Sequence, residues 1–127
     1  MSYTVLNSAM SSTLLSDPEV AGLFSADADL VAMLDFEAAL AEAEAEAGVF
    51  SSRLAQQIAA ACRGFRPDMV RLDAGISRDG MAVPDLVAQL REAIGTEASK
   101  YLHFGATSQD VIDTSLTSRL QRVNQIL

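Results

Sequence analysis

The stretch from Asp27 to Ala47 constrains the fold more than any other. Leu30, Met33, Leu34, Leu40 and Ala41 recur at spacings of three and four, which puts them on one stripe of an α-helix. Ser25 opens the stretch and Gly48 closes it in the position of a C-terminal stop. Such a helix must bury its stripe against other elements. Glu37 falls on the stripe between Met33 and Ala41. A buried carboxylate needs a partner, and pairing with an arginine is expected rather than catalysis. The other acids of this stretch read as a solvated face.

Further helix signals follow in order. Residues 1–16, rich in Ser, Thr and Asn, read as an irregular arm. Ser16-Asp17-Pro18-Glu19 starts a short helix, capped at Ser16 or Asp17, with an apolar edge of Val20, Leu23 and Phe24. Ser51 or Ser52 caps a helix to about Cys62, with Leu54, Ile58 and Ala61 on its buried face, and Gly64 stops it. Arg66-Pro67-Asp68 opens a segment through Met69, Val70 and Leu72, with Gly75 and Gly80 bracketing the four residues between them. Val83-Pro84-Asp85 begins a helix carrying Leu86, Val87, Leu90 and Ile94, and Gly95 ends it. Glu97 to Leu102 is a short helical approach to the last helix, which begins near Ser108. Ile112, Leu116, Leu120, Val123 and Leu127 make an apolar stripe suited to packing against other long helices. The stripe runs into the final residue without a stop signal, so the 127 residues are expected to be the N-terminal part of a longer protein.

Composition agrees with this pattern. The chain is 50% apolar with alanine dominant, which favours packed helices over a sheet. The fold class is therefore all-α. No apolar run is long enough for a bilayer. The N-terminus lacks the basic start and apolar core of a signal peptide. Cys62 is the single cysteine; it cannot form an internal disulfide, and it reads as a small core residue in a reducing, cytoplasmic setting. The net charge is −8, and the nine acids of residues 1–50 face no Lys or Arg there. That balance argues against nucleic acid and anionic membrane as partners. One histidine and one cysteine far apart make no closed metal site.

The chemistry concentrates in His103-Phe-Gly-Ala-Thr-Ser-Gln-Asp-Val-Ile-Asp-Thr114. The sole histidine precedes a Thr-Ser pair that can cap the last helix. Asp110 stands three residues after Thr107, approximating a capping box. Gly105 lets the backbone approach a ligand. Free first-turn amides with two hydroxyls form a receptor for an anion, above all a carboxylate. A well-capped helix with a loop histidine is the plainer account of the same residues.

This string resembles the first signature segment of the fumarase/aspartase superfamily. With Gln109 between Ser108 and Asp110 it looks most like the bacterial 3-carboxy-cis,cis-muconate cycloisomerase branch. The segment from Met33 to Gly48 resembles that branch's first long helix. The resemblance implies an N-terminal helical domain, residues 1–106, and the start of the first long helix of a central bundle, residues 107–127. It implies a homotetramer whose sites collect segments from three subunits, a small tricarboxylate substrate, and no metal or organic cofactor. The reaction would interconvert 3-carboxy-cis,cis-muconate and carboxymuconolactone in protocatechuate breakdown. By resemblance His103, Thr107, Ser108, Gln109 and Asp110 bind substrate. Thr107 and Ser108 would donate to its carboxylate, while Asp110 would orient the loop or pair with an arginine. Gln109 would face the ligand or a subunit contact. Arg66, Arg71 and Arg78 read as surface charge, with anion contact as the alternative. The superfamily's histidine acid and its Gly-Ser-Ser loop base do not occur in this sequence. No catalytic acid or base is thus expected in this chain, which alone should be inactive. Adenylosuccinate lyases are the nearest competitor, but they tend to carry Thr-Arg-His-Asp-Val where this chain has Ala82-Val-Pro-Asp-Leu86. A non-catalytic helical interaction module is the alternative from another class.

Overall fold

A computed structural model describes residues 12–127 as helices alone. They are α1 (Ser12–Leu15), α2 (Pro18–Leu23), α3 (Ala26–Glu46), α4 (Ser52–Cys62), α5 (Met69–Asp79), α6 (Val83–Ile94), a 3₁₀ turn (Ala98–Lys100) and α7 (Ser108–Ile126). The expected irregular arm falls mostly outside the described residues, and its last part is the short helix α1 rather than coil. Among the described residues no helix is long and apolar enough to cross a membrane.

Side chains fix the helix ends. The Asp17 carboxylate accepts from the amides of Glu19 and Val20, with Pro18 in the first turn. The Ser25 hydroxyl accepts from Ala28 and starts α3. At the other end of α3, the Gly48 amide donates to Ala45 and the Val49 amide to Glu44. That pair of bonds needs the left-handed backbone of Gly48 (φ 81°).

α3 is the element on which the others assemble. It packs against α4 on one side and against α7 on another. Met33, Leu34 and Ala41 are buried along it, as the spacing implies, and Leu30 and Leu40 are half-buried. Leu54, Ala55, Ile58 and Cys62 carry the buried face of α4, while Ala61 is only partly covered. From α6, Leu86, Val87 and Leu90 complete the centre. Burying each such leucine or isoleucine contributes about 1.5–3 kcal/mol.

α5 departs from the expected pattern. Gly75 does not bracket a loop; it lies inside one continuous helix. A Cβ at Gly75 would stand 2.6 Å from the Asp85 Cβ of α6, so the glycine permits the close crossing of the two helices. Polar contacts then lock that crossing. Gln89 donates to Asp85 Oδ2 (2.8 Å) and to the Asp68 carbonyl, and its own Oε1 accepts from the Asp68 amide (2.7 Å). Arg71 donates to Asp85 (3.3 Å) and holds Glu92 through two bonds of 2.8 Å. Arg71 therefore works within the fold.

Two outcomes are expected. In an open helix interior Gly→Ala gains about 1 kcal/mol from propensity. At residue 75 crowding reverses the sign, and Gly75→Ala should lose about 1–3 kcal/mol in chemical denaturation. Cys62 is buried, and that burial, with the charges of Glu37 and Asp35, pushes its thiol up to about 12. A disulfide reagent near neutral pH should leave it unmodified until the chain unfolds.

Candidate active site

The corner between the 3₁₀ turn and α7 is built on an unusual backbone. His103 has φ 58°, a left-handed conformation costing an ordinary residue about 1–2 kcal/mol. The ring is held from below. Its Nδ1 lies 2.6 Å from Oε1 of Glu37 on α3. The Glu37 side chain is 2% exposed and that of His103 15%. The expected arginine partner for Glu37 is thus replaced by histidine. Two arginines of neighbouring helices are engaged elsewhere: Arg91 donates to the Leu102 carbonyl, and Arg119 to Asp29. Glu37 Oε2 is buried and has no partner among the described residues.

A second carboxylate lies two turns further along the same face. Glu44 Oε2 is also buried without a partner, and burial, then the nearby Glu37, pushes its carboxyl above the ordinary range. Glu44 Oε1 would stand 3.6 Å from a Cβ at Gly105, which is ordinary contact. Gly105 is required by its own backbone sign (φ 71°) rather than by crowding. Its position near Glu44 was not legible from spacing.

The start of α7 follows the expected capping box. Thr107 is the N-cap and Asp110 the third helical residue. Asp110 Oδ2 accepts from the Thr107 amide (2.7 Å) and from its hydroxyl (3.0 Å). These two bonds, with the nearby His103, hold the Asp110 carboxyl below its usual range. Asp110 orients the Thr-Ser corner, and among the described residues it pairs with no arginine. The Thr107 hydroxyl proton is already engaged and must turn to reach a ligand. The Ser108 side chain is half-buried, and its hydroxyl has no partner among the described residues. Gln109 lies along the helix surface and donates to Asp113 (2.6 Å). The fold thus brings His103, Thr107, Ser108 and Asp110 to one corner and turns Gln109 along the helix.

Below this corner α7 presents polar groups to α3. Ser115 Oγ donates to Asp29 Oδ1 (2.6 Å), which also accepts from Arg119 (2.7 Å). Arg119 lies over the Phe24 ring and donates to the Leu23 carbonyl. Sequence reading missed this network, because no local pattern marks Arg119 as buried. A separate groove of ≈ 470 Å³ lies between α3 and α7, lined by Asp27, Asp35, Phe36, Thr114 and Arg122 among others. It occupies the side of α3 opposite Glu37.

Comparison with known proteins decides the family. The lyase family matches residues 2–127. The chain belongs to this lyase family. Among its relatives, 3-carboxy-cis,cis-muconate cycloisomerase from Pseudomonas putida is 42% identical over 107 residues, covering 82% of this chain and 25% of the relative. Adenylosuccinate lyase from Methanothermobacter thermautotrophicus is 36% identical over 124 residues, covering 87% and 27%. The crystal structure of 3-carboxy-cis,cis-muconate lactonizing enzyme from Pseudomonas putida superimposes with TM-score 0.82 at 40% identity, covering 87% of this chain and 26% of that one. The lyase-family chain described here thus spans about a quarter of the length of these relatives. Its all-helical fold is that of the fumarase/aspartase superfamily.

The Asp110 geometry sets a pH dependence. Its carboxyl titrates below the ordinary 3.8 in the folded chain. Its stabilising contribution is therefore present above that ordinary value and lost as pH falls through the lower folded one. Asp110→Asn should flatten part of the acid limb of a stability–pH profile from urea melts. An unchanged acid limb would show that the box contributes nothing there.

Proposed function

We propose that this chain supplies the carboxylate-binding corner of a cofactor-independent 3-carboxy-cis,cis-muconate cycloisomerase. The observation that carries the reading is the start of α7. A capped helix N-terminus lies beside a half-buried histidine, in a chain 42% identical to a cycloisomerase of that name. In this reaction an internal carboxylate adds across a double bond, and the reverse elimination passes through an enediolate-like carbanion. Donors fixed in advance around the substrate carboxylate stabilise that charge. Here they are the Ser108 hydroxyl, the first-turn amides of α7 ahead of Asp110, whose own amide already donates to the Thr107 carbonyl, and His103. Thr107 joins them if its hydroxyl turns from Asp110.

The side chains of this corner bind and orient. On this reading the groups that move the proton come from segments outside this sequence, on neighbouring subunits of a homotetramer. The purified 127-residue chain should therefore show no turnover. A second reading, an adenylosuccinate lyase, is favoured by the relative 36% identical over 124 residues.

The test is ultraviolet absorbance of the gene product containing this chain, with carboxymuconate and adenylosuccinate in parallel. Consumption of carboxymuconate alone is expected. Consumption of adenylosuccinate alone would establish the second reading. Turnover by the isolated chain would show that the proton-transfer groups lie within it.

A further inference from the structure

Glu37 is buried on α3, two turns before Glu44, and among the described residues its one hydrogen-bond partner is the ring of His103. That partner is 66 residues away in sequence. It sits on a left-handed backbone that is strained for a residue other than glycine. Both facts need an explanation, because burying a carboxylate with one oxygen unpartnered carries a substantial desolvation cost. A core requirement alone would be met more cheaply by a leucine at residue 37. The contact does something a leucine cannot: it fixes which ring nitrogen faces inward.

We infer that Glu37 is a positioning residue for His103, its carboxylate accepting from Nδ1–H so that Nε2 is presented to a substrate carboxylate. The inference rests on the reading that this corner receives such a group. When the ligand binds, the ring takes up one proton from solvent, so that Nδ1–H donates to Glu37 and Nε2–H donates to the ligand. The ring then carries both protons and lies between two carboxylates. Nε2 has no partner among the described residues, and part of the ring stays exposed. The left-handed backbone of His103 aims the ring down at α3, while Gly105 turns the chain back toward Thr107. The Glu37 contact then fixes which ring nitrogen faces inward.

Two measurements test this. His103 is the only histidine of the 127-residue chain, so two-bond ¹H–¹⁵N spectra of its imidazole report the tautomer without ambiguity. The ligand-free chain should show Nδ1 protonated; a bare Nδ1 overturns the inference, whatever the substrate proves to be. The second is a double-mutant cycle in the gene product containing this chain, with Glu37→Gln, His103→Asn and both together. Asn is chosen because it tolerates the left-handed backbone. Each single variant should lower kcat/KM for carboxymuconate by about 10- to 100-fold. If Glu37 acts through His103, the double variant falls no further than His103→Asn alone. Full additivity, or unchanged kcat/KM in Glu37→Gln, overturns it. A wild type that does not consume carboxymuconate would instead sink the functional reading and leave the tautomer measurement standing. That measurement also needs no variant to fold.

Discussion

The structure depends on how α7 is fastened to α3. The two helices run antiparallel, since Asp29 meets Ser115 and Arg119 while Glu37 meets His103 just ahead of α7. Both fastenings are polar. Val111 is the apolar residue of α7 fully buried in this contact, and Ser115 and Arg119 follow it at successive turns. An apolar stripe would tolerate sliding by a residue or a turn. A buried arginine and hydroxyl sharing one half-buried carboxylate do not, because a shift leaves Arg119 and Ser115 desolvated without their partner. The cost of burying Arg119 and Glu37, each against a partner on the other element, thus fixes a register.

The same logic explains the corner at the head of α7. Asp110 draws in the Thr107 amide and hydroxyl, which sets where the helix begins. Glu37 draws in His103, which sets where the preceding turn ends. Between these two anchors, His103 and Thr107, lie three residues, including a glycine with positive φ. A loop this short, tied at both ends to fixed elements, has little freedom left. On the proposed reading, the Ser108 hydroxyl and the first-turn amides are therefore preorganised before any ligand arrives, as charge stabilisation requires.

Much of the helical plan was legible in the sequence because its signals are local. Asp17, Ser25, Thr107 and the closing glycines act on amides and carbonyls within a few residues, so spacing alone places them. The stripes of α3 and α6 are equally local in origin. What sequence reading got wrong or missed is set by crossings. Gly75 reads as a breaker until Asp85 of the next helix comes against it. Glu37 reads as an arginine's partner because charge complementarity is visible in sequence, whereas the reach of a histidine across 66 residues is not. Arg119 and Asp29, 90 residues apart, are individually ordinary surface residues by pattern. The corner itself was visible as a string, but which of its hydroxyls is already engaged was not.

α7 is patterned inside out for a helix resting on one partner. Its polar Ser115 and Arg119 face α3, while Leu116 and Leu120 remain 41% and 44% exposed. Register argues for the first half of this inversion, as above. The second half follows from geometry: residues 112, 116 and 120 lie about 100° around the helix from residues 111, 115 and 119. Contact with α3 that buries one row therefore leaves the other at its margin. A helix so divided carries specificity on one face and unspent apolar area on the next. On the proposed reading, that second row is what the other long helices of the bundle would cover. The carboxylate-binding corner would then be held by α3 on one side and by those helices on the other.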